Sequence, residues 1–185
     1  MKSLARILPL TLLVFLFGCS DLETQDSGGV LLQVEFTNLP GQIGVNDDDT
    51  VQVPTITVNS VVTNPAAGSS DLMNVLVDLY EVTFTRADTG SRVPPAFVFR
   101  RAGTVPVGAS LTLNNFPIMS VEQMRSPPLS DLLFENGGLD QETGSSIIRI
   151  NATFTIFGKT IAGDDVASQP RTETFEFVPS LLVNP

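Results

Sequence analysis

MNVLVDLYEVTFTR, residues 73–86, is the stretch that decides the fold. In its second half Tyr80, Val82 and Phe84 alternate with Glu81, Thr83 and Thr85. That period of two belongs to a strand, because successive strand side chains point to opposite faces of a sheet. The run is rich in β-branched and aromatic residues and is bounded by loop-forming NPAAGSSD at 64–71 and ADTGSRVPP at 87–95, which marks it as a central strand.

Working outward, the same period recurs. Val30, Leu32, Val34 and Phe36 alternate with Leu31, Gln33 and Glu35 before Asn38, Pro40, Gly41 and Gly44 break the run. Residues 51–63 (VQVPTITVNSVVT) resume it, with Pro54 marking an edge or a bulge because proline has no ladder donor. Beyond the central stretch come a short Phe97-Val98-Phe99 strand with Arg100 and Arg101 at its exit, and a segment at 104–113 built on Val105, Val107, Leu111 and Leu113 around Gly108. Residues 146–157 (SIIRINATFTIF) read as a long strand with Ile148, Ile150, Ala152, Phe154 and Ile156 inward. Gly158-Lys159 then suits a type II′ hairpin turn, and 172–178 (TETFEFV) give the last strand, with Phe175 and Phe177 on one face.

The stretch at 117–140 is the least regular. Ser130 is placed to cap a short helix through Leu132, Leu133 and Phe134, closed by Gly137-Gly138. Ser120 with Gln123 has capping-box spacing, yet Val121 and Met124 fit a strand equally well, and the surrounding strands favour that reading. Altogether the pattern predicts an all-β fold: an antiparallel β-sandwich of about eight or nine strands over residues 30–185 as one domain. In layout it resembles immunoglobulin-like or fibronectin-like modules, without the Cys pair and core Trp of true immunoglobulin domains. Such a likeness implies no function.

The first nineteen residues carry a different message. Lys2 and Arg6 precede an apolar run from Ile7 to Phe17, which ends in Leu16-Phe17-Gly18-Cys19. The run is about half of the roughly 20 residues a membrane span needs, and the arrangement is that of a secretory signal peptide. The tetrapeptide resembles the lipobox of bacterial lipoproteins. The resemblance implies cleavage after residue 18, acylation of Cys19 and a permanent membrane anchor. It also implies an outer-membrane address in preference to the inner membrane, since Ser20 stands where an aspartate favours inner-membrane retention. Residues 19–29 then form a lipidated polar tether, whose ten flexible residues reach about 16–19 Å.

Composition excludes more than it asserts. The chain has no histidine, no tryptophan, a single cysteine and a net charge of −10. A Ser-His-Asp or Cys-His catalytic arrangement and a histidine-ligated zinc site are therefore impossible, and nucleic acid is a poor partner for want of a basic stripe. No cofactor is implied. Asp47, Asp48 and Asp49 are weak Ca²⁺ candidates, with Asn46, Asp164 and Asp165 as further oxygens, against the plainer reading of a solvated acidic turn. Asp78 and Glu81 stand three apart on the central strand, an odd offset that puts them on opposite faces and spoils a glycosidase pair. The expectation is a lipid-anchored envelope protein that is not an enzyme, bound to the membrane through Cys19 and to an envelope protein partner. The alternative is a carrier of a small apolar ligand or lipid, and a carboxylate-only enzyme is a distant third.

Overall fold

A computed structural model of the chain describes residues 29–45 and 50–180. Nine strands make up most of it: β1 (Val30–Thr37), β2 (Gln42–Val45), β3 (Val51–Val62), β4 (Val75–Arg86), β5 (Phe97–Val105), β6 (Ser110–Met119), β7 (Ile148–Thr160), β8 (Asp165–Ala167) and β9 (Arg171–Pro179). One sheet has the order β1-β3-β6; the other runs β2-β9-β7-β4-β5, with β8 also paired to β7. Every pair is antiparallel except β2 with β9, which is parallel. The antiparallel β-sandwich is thus present, and the stretch broken by Gly44 contributes a short parallel edge strand.

The core lies between the inward faces of the two sheets. Val30 and Leu32 from β1, Ile56 and Val58 from β3, Tyr80 and Val82 from β4, Ile150, Phe154 and Ile156 from β7, and Phe175 and Phe177 from β9 are all buried. Burying each such aliphatic or aromatic side chain contributes roughly 1.5–3 kcal/mol, which is how a chain without a disulfide holds two sheets together. β4 is an interior strand, flanked by β5 and β7.

Two of the three long strands, β3 and β4, change phase midway, while β7 alternates throughout. In β3 the inward set passes from Val51 and Val53 to Ile56, Val58 and Ser60. Pro54 sits at that change, one residue beyond the last β1 pair at Thr37–Thr55, so its missing N–H costs no ladder bond there. In β4 the inward set passes from Val75 and Val77 to Tyr80, Val82 and Phe84. Against β7 the register slips between Val77 and Leu79, leaving Asp78 as the extra residue of a β-bulge.

The bulge corrects two expectations. Asp78 and Glu81 both face outward, not to opposite sides, because the added residue reverses the parity between them. Gly158-Lys159 is not a turn either: β7 runs through it, and Gly158 pairs with Val77 and with Val166. A Cβ at Gly158 would overlap the Leu76 carbonyl oxygen and come within 2.9 Å of Val77 Cα, so the glycine is required by the closeness of the bulged strand. The chain reverses at 161–164 instead, where Thr160 N–H donates to Asp164 O (2.9 Å) and Gly163 N–H to Thr160 O (2.9 Å). Gly163 has φ +104°, which a side chain would resist.

Three further expectations change. Arg100 and Arg101 are not at a strand exit but inside β5. Residues 121–124 are helical, not extended: α1 (Val121–Met124) carries a full capping box, with Gln123 N–H donating to Ser120 Oγ and Ser120 N–H to Gln123 Oε1. What tips the balance from strand to helix is tertiary, for the buried Gln123 amide also donates to Pro95 O at 2.6 Å. Ser130 is no cap: it lies inside a 3-10 turn, Leu129–Leu132, that follows Pro128, and a second turn, Phe134–Asn136, is closed by Gly137 in the left-handed region.

Strand directions give the sandwich two poles. Gly29 and the loops 63–74, 106–109 and 161–164 lie at one, here the proximal pole. The loops 87–96 and 120–147 lie at the other, the distal pole.

Candidate functional site

The distal pole holds the densest cluster of charge among the described residues. Arg86 is the last residue of β4 and continues the inward parity of Phe84, so its guanidinium enters the protein instead of leaving it. Its Nη2 donates to Asp140 Oδ2 (2.8 Å) and its Nε to Asp88 Oδ1 (2.6 Å), while Nη1 donates to the Arg92 carbonyl (3.3 Å). Gly90 closes over this guanidinium, where any Cβ would overlap it. Arg92 in turn donates through Nη2 to Asp131 Oδ2 (2.7 Å) and Asp140 Oδ1 (3.3 Å). Glu142 accepts from the Ser91 hydroxyl and from the backbone N–H groups of Ser91 (2.9 Å) and Arg92 (3.0 Å).

Two arginines thus tie the 87–96 loop to the segment at 131–142. Asp140 is wholly buried, and burial alone would raise its pKa. Hydrogen bonds from Arg86, Thr143 and the Glu142 N–H overcome that and hold it at about 2. The Ser91 hydroxyl and the Arg92 and Ser91 N–H groups likewise hold Glu142 at about 2. Burial also opposes ionisation of Asp88, but Arg86 and the Arg149 and Gly90 N–H groups bring its pKa below the ordinary value. A general base or acid at neutral pH needs a pKa near 7, and these groups are pushed the other way. Chemically the cluster is a clamp.

The outer face of the larger sheet carries a shallow groove of about 360 Å³ over Leu76, Leu79 and Phe157. It is rimmed by two ion pairs, Arg100 with Asp78 (3.4 Å) and Lys159 with Asp165. Glu81 also faces out, whereas Arg101 reaches to β6 of the smaller sheet, donating to the Asn114 carbonyl at 3.5 Å. A small interior gap lies between the sheets. The gap beside Val34, Tyr80, Phe116 and Phe154 amounts to about 10 Å³, room for at most about one water. Burial pushes the Tyr80 phenol up, and its Oη meets no hydrogen-bond partner among the described residues. Phe116 packs edge-on against that ring at 5.1 Å and Phe99 lies at 6.4 Å, so these phenylalanines serve the core as the sequence suggests, whereas Phe157 lines the outer groove and Phe134 is exposed.

Compared with models of known families, with curated proteins and with solved structures, the chain matches none. Function therefore rests on the residues themselves. Cys19 and the Ca²⁺ candidates Asp47, Asp48 and Asp49 lie outside the described residues. Of the further oxygens suggested for calcium, Asp164 accepts from the Thr160 hydroxyl at 3.1 Å and Asp165 is paired with Lys159. Among the described residues, no group of three or more His, Cys, Asp or Glu is arranged to hold a metal ion, and no helix is long and apolar enough to cross a membrane.

Sequence reasoning misses the distal clamp. Its members Arg86 and Glu142 lie 56 residues apart, and none forms a motif. One signal was present: Arg86 sits at an inward position of the clearest strand, and a cation there needs a carboxylate.

Proposed function

We propose that this protein is a lipid-anchored component of the bacterial cell envelope with a non-catalytic, structural or protein-interaction role, held by acylated Cys19 at the outer membrane. The observation that carries this reading is the chain's lone cysteine at the end of the apolar run Ile7 to Phe17, in Leu16-Phe17-Gly18-Cys19. The geometry supports it in three ways. Gly29, where the described domain begins, is fixed at one pole by the Thr63 N–H (3.0 Å), which leaves the other pole free to meet a partner. At that distal pole Phe134 is 81 % exposed, on a turn held by Asn136 Nδ2 donating to Ser130 O at 2.8 Å. Buried carboxylates of the clamp are neutralised by arginines and so are unsuited to proton transfer.

The carrier alternative needs an enclosed apolar cavity, and ligand pockets run to about 300–1,000 Å³. Among the described residues the gap beside Val34, Tyr80, Phe116 and Phe154 is about 10 Å³, which lends the carrier alternative no support. Replacing Cys19 with Ala and fractionating the cells tests the anchor. The parent is expected in the membrane pellet and the variant in the soluble fraction; a variant that pellets as fully as the parent refutes the reading.

A further inference from the structure

We propose that the proximal pole rests on a zwitterionic lipid surface, with Leu72 and Ile161 seated at the boundary between head groups and acyl chains. This deepens the lipid-anchor reading and rests on it. Leu72 and Ile161 are 56 % and 50 % exposed, and Leu76 beside them is 48 % exposed. They do not sit on loose loops. The 3-10 turn Asp71–Met73 is capped by Ser70, whose Oγ accepts from Leu72 N–H (3.3 Å). Leu72 O then accepts from Ala162 N–H, and Asn74 O from Ile161 N–H, both at 3.0 Å. The Asn74 side chain accepts from Val107 N–H at 2.8 Å, tying the third loop of the pole to the other two. The apolar side chains are thus displayed on a pre-organised platform, whose ordering cost has been met in folding.

What brings lipid to this platform is the chain itself. Gly29 lies at the same pole, bonded to Thr63, and a polar stretch of the length of residues 20–29, between it and the acylated Cys19, has an r.m.s. reach of about 16–19 Å. An anchored domain therefore holds this pole, on average, within one short tether of the bilayer. Interfacial apolar faces settle about 5–10 Å into the head-group region, and their strength grows with buried apolar area and with charge attraction. Charge selects the lipid. Asp71, Asp164 and Asp165 surround the aliphatic pair, against the lone ammonium of Lys159, which Asp165 already occupies. An anionic surface would be repelled, whereas a zwitterionic one such as phosphatidylethanolamine or phosphatidylcholine is not.

The test uses the full-length lipidated protein reconstituted into phosphatidylcholine vesicles. An environment-sensitive dye is attached at Ala162→Cys or, as a distal control, at Glu135→Cys; with Cys19 acylated, the introduced thiol alone reacts. Emission at 162 should shift to the blue and be quenched by lipids brominated on their upper acyl carbons, while the label at 135 stays in water. Adding Leu72→Ser with Ile161→Ser should abolish the quenching at 162 while the protein still floats with the vesicles. Replacing half of the phosphatidylcholine with phosphatidylglycerol should weaken it. A label at 162 as wet as that at 135, quenching that survives the double substitution, or quenching that strengthens on anionic vesicles would each overturn the proposal and leave the anchor intact. If the parent protein does not float at all, the anchor reading falls and takes this inference with it.

Discussion

Arg86 and Arg149 stand at the same end of neighbouring strands, and each holds a carboxylate at 2.8 Å: Arg86 meets Asp140, and Arg149 meets Glu176. By distance the two pairs are the same interaction. By environment they are opposites, for the side chains of Arg86 and Asp140 are 2 % and 0 % exposed while those of Arg149 and Glu176 are 53 % and 30 % exposed. Buried charges have lost their water and depend on every remaining bond, whereas exposed partners trade each other for solvent at little gain. The lesson is that ion-pair geometry does not rank ion pairs. Desolvation does, and it ranks them by what happens when one partner is removed.

The largest expected effect comes from removing Arg86. Arg86→Met preserves the bulk of the side chain but leaves Asp140 buried, with Arg92 at 3.3 Å as its one remaining cation beside the neutral donors Thr143 Oγ1 (2.6 Å) and Glu142 N–H (3.3 Å). Orphaning a buried charge costs about 3–5 kcal/mol, so the urea midpoint should fall sharply and the distal loops should lose amide protection first. A second variant, Arg86→Met with Asp140→Leu, should recover much of that loss, because the penalty lies in the unpaired charge and not in the absence of the pair. A single variant with an unchanged midpoint would break the comparison.

Acid should sharpen it. The folded-state pKa of Asp140 is held at about 2 against an ordinary value of 3.8, that of Glu142 at about 2 against 4.5, and that of Asp88 is also lowered. Lowered folded-state values mean that the unfolded chain takes up protons first as pH falls. Their stabilisation is therefore fully present above the ordinary carboxylate range and is lost between about pH 5 and pH 2. For Asp140 the loss is on the order of 2 kcal/mol. Between about pH 6 and 8 the midpoint should stay flat, since the chain has no histidine. Denaturant melts across that whole range check both halves, and Arg86→Met should show a shallower acid limb than the parent. An acid limb of equal depth in the two proteins would place the titrating groups elsewhere.

How much of this was legible in the sequence divides along the same line between local and distant. Alternation at Tyr80, Val82 and Phe84 was enough to find β4, and the runs at 30–36, 51–63 and 146–157 found β1, β3 and β7, because one buried face imposes period two on neighbouring residues. The bulge was hidden because Val75, Leu76, Val77 and Leu79 are all apolar and erase the period just where it slips. Gly158 was misread for a related reason. Glycine marks both turns and close approaches, and only the strand alongside tells which. The short helix α1 was visible in Ser120 and Gln123, but the bond that selects it runs to Pro95. The clamp was the least legible of all, since a buried ion pair is a fact about two loops meeting and neither loop records the other.

The smallest expected effect is the other side of the comparison, and it is the more demanding test. Arg149→Gln removes the charge from a pair whose carboxylate is lowered by Arg149 first and by Gln42 second. Glu176 would keep its bond to Gln42 Nε2 at 3.3 Å and its access to water. The backbone N–H of Arg149, which donates to Asp88 Oδ2 at 3.0 Å, is untouched by the substitution. The clamp should therefore not feel it. Exposed pairs are also screened by salt, while buried ones are screened much less. In parallel melts at low and high salt, Arg149→Gln should match the parent midpoint at both ionic strengths, and the gap between the parent and Arg86→Met should be unchanged by salt. If Arg149→Gln instead destabilises the fold as much as Arg86→Met does, then burial is not what separates the two pairs, and the distal clamp has no special claim on the stability of this protein.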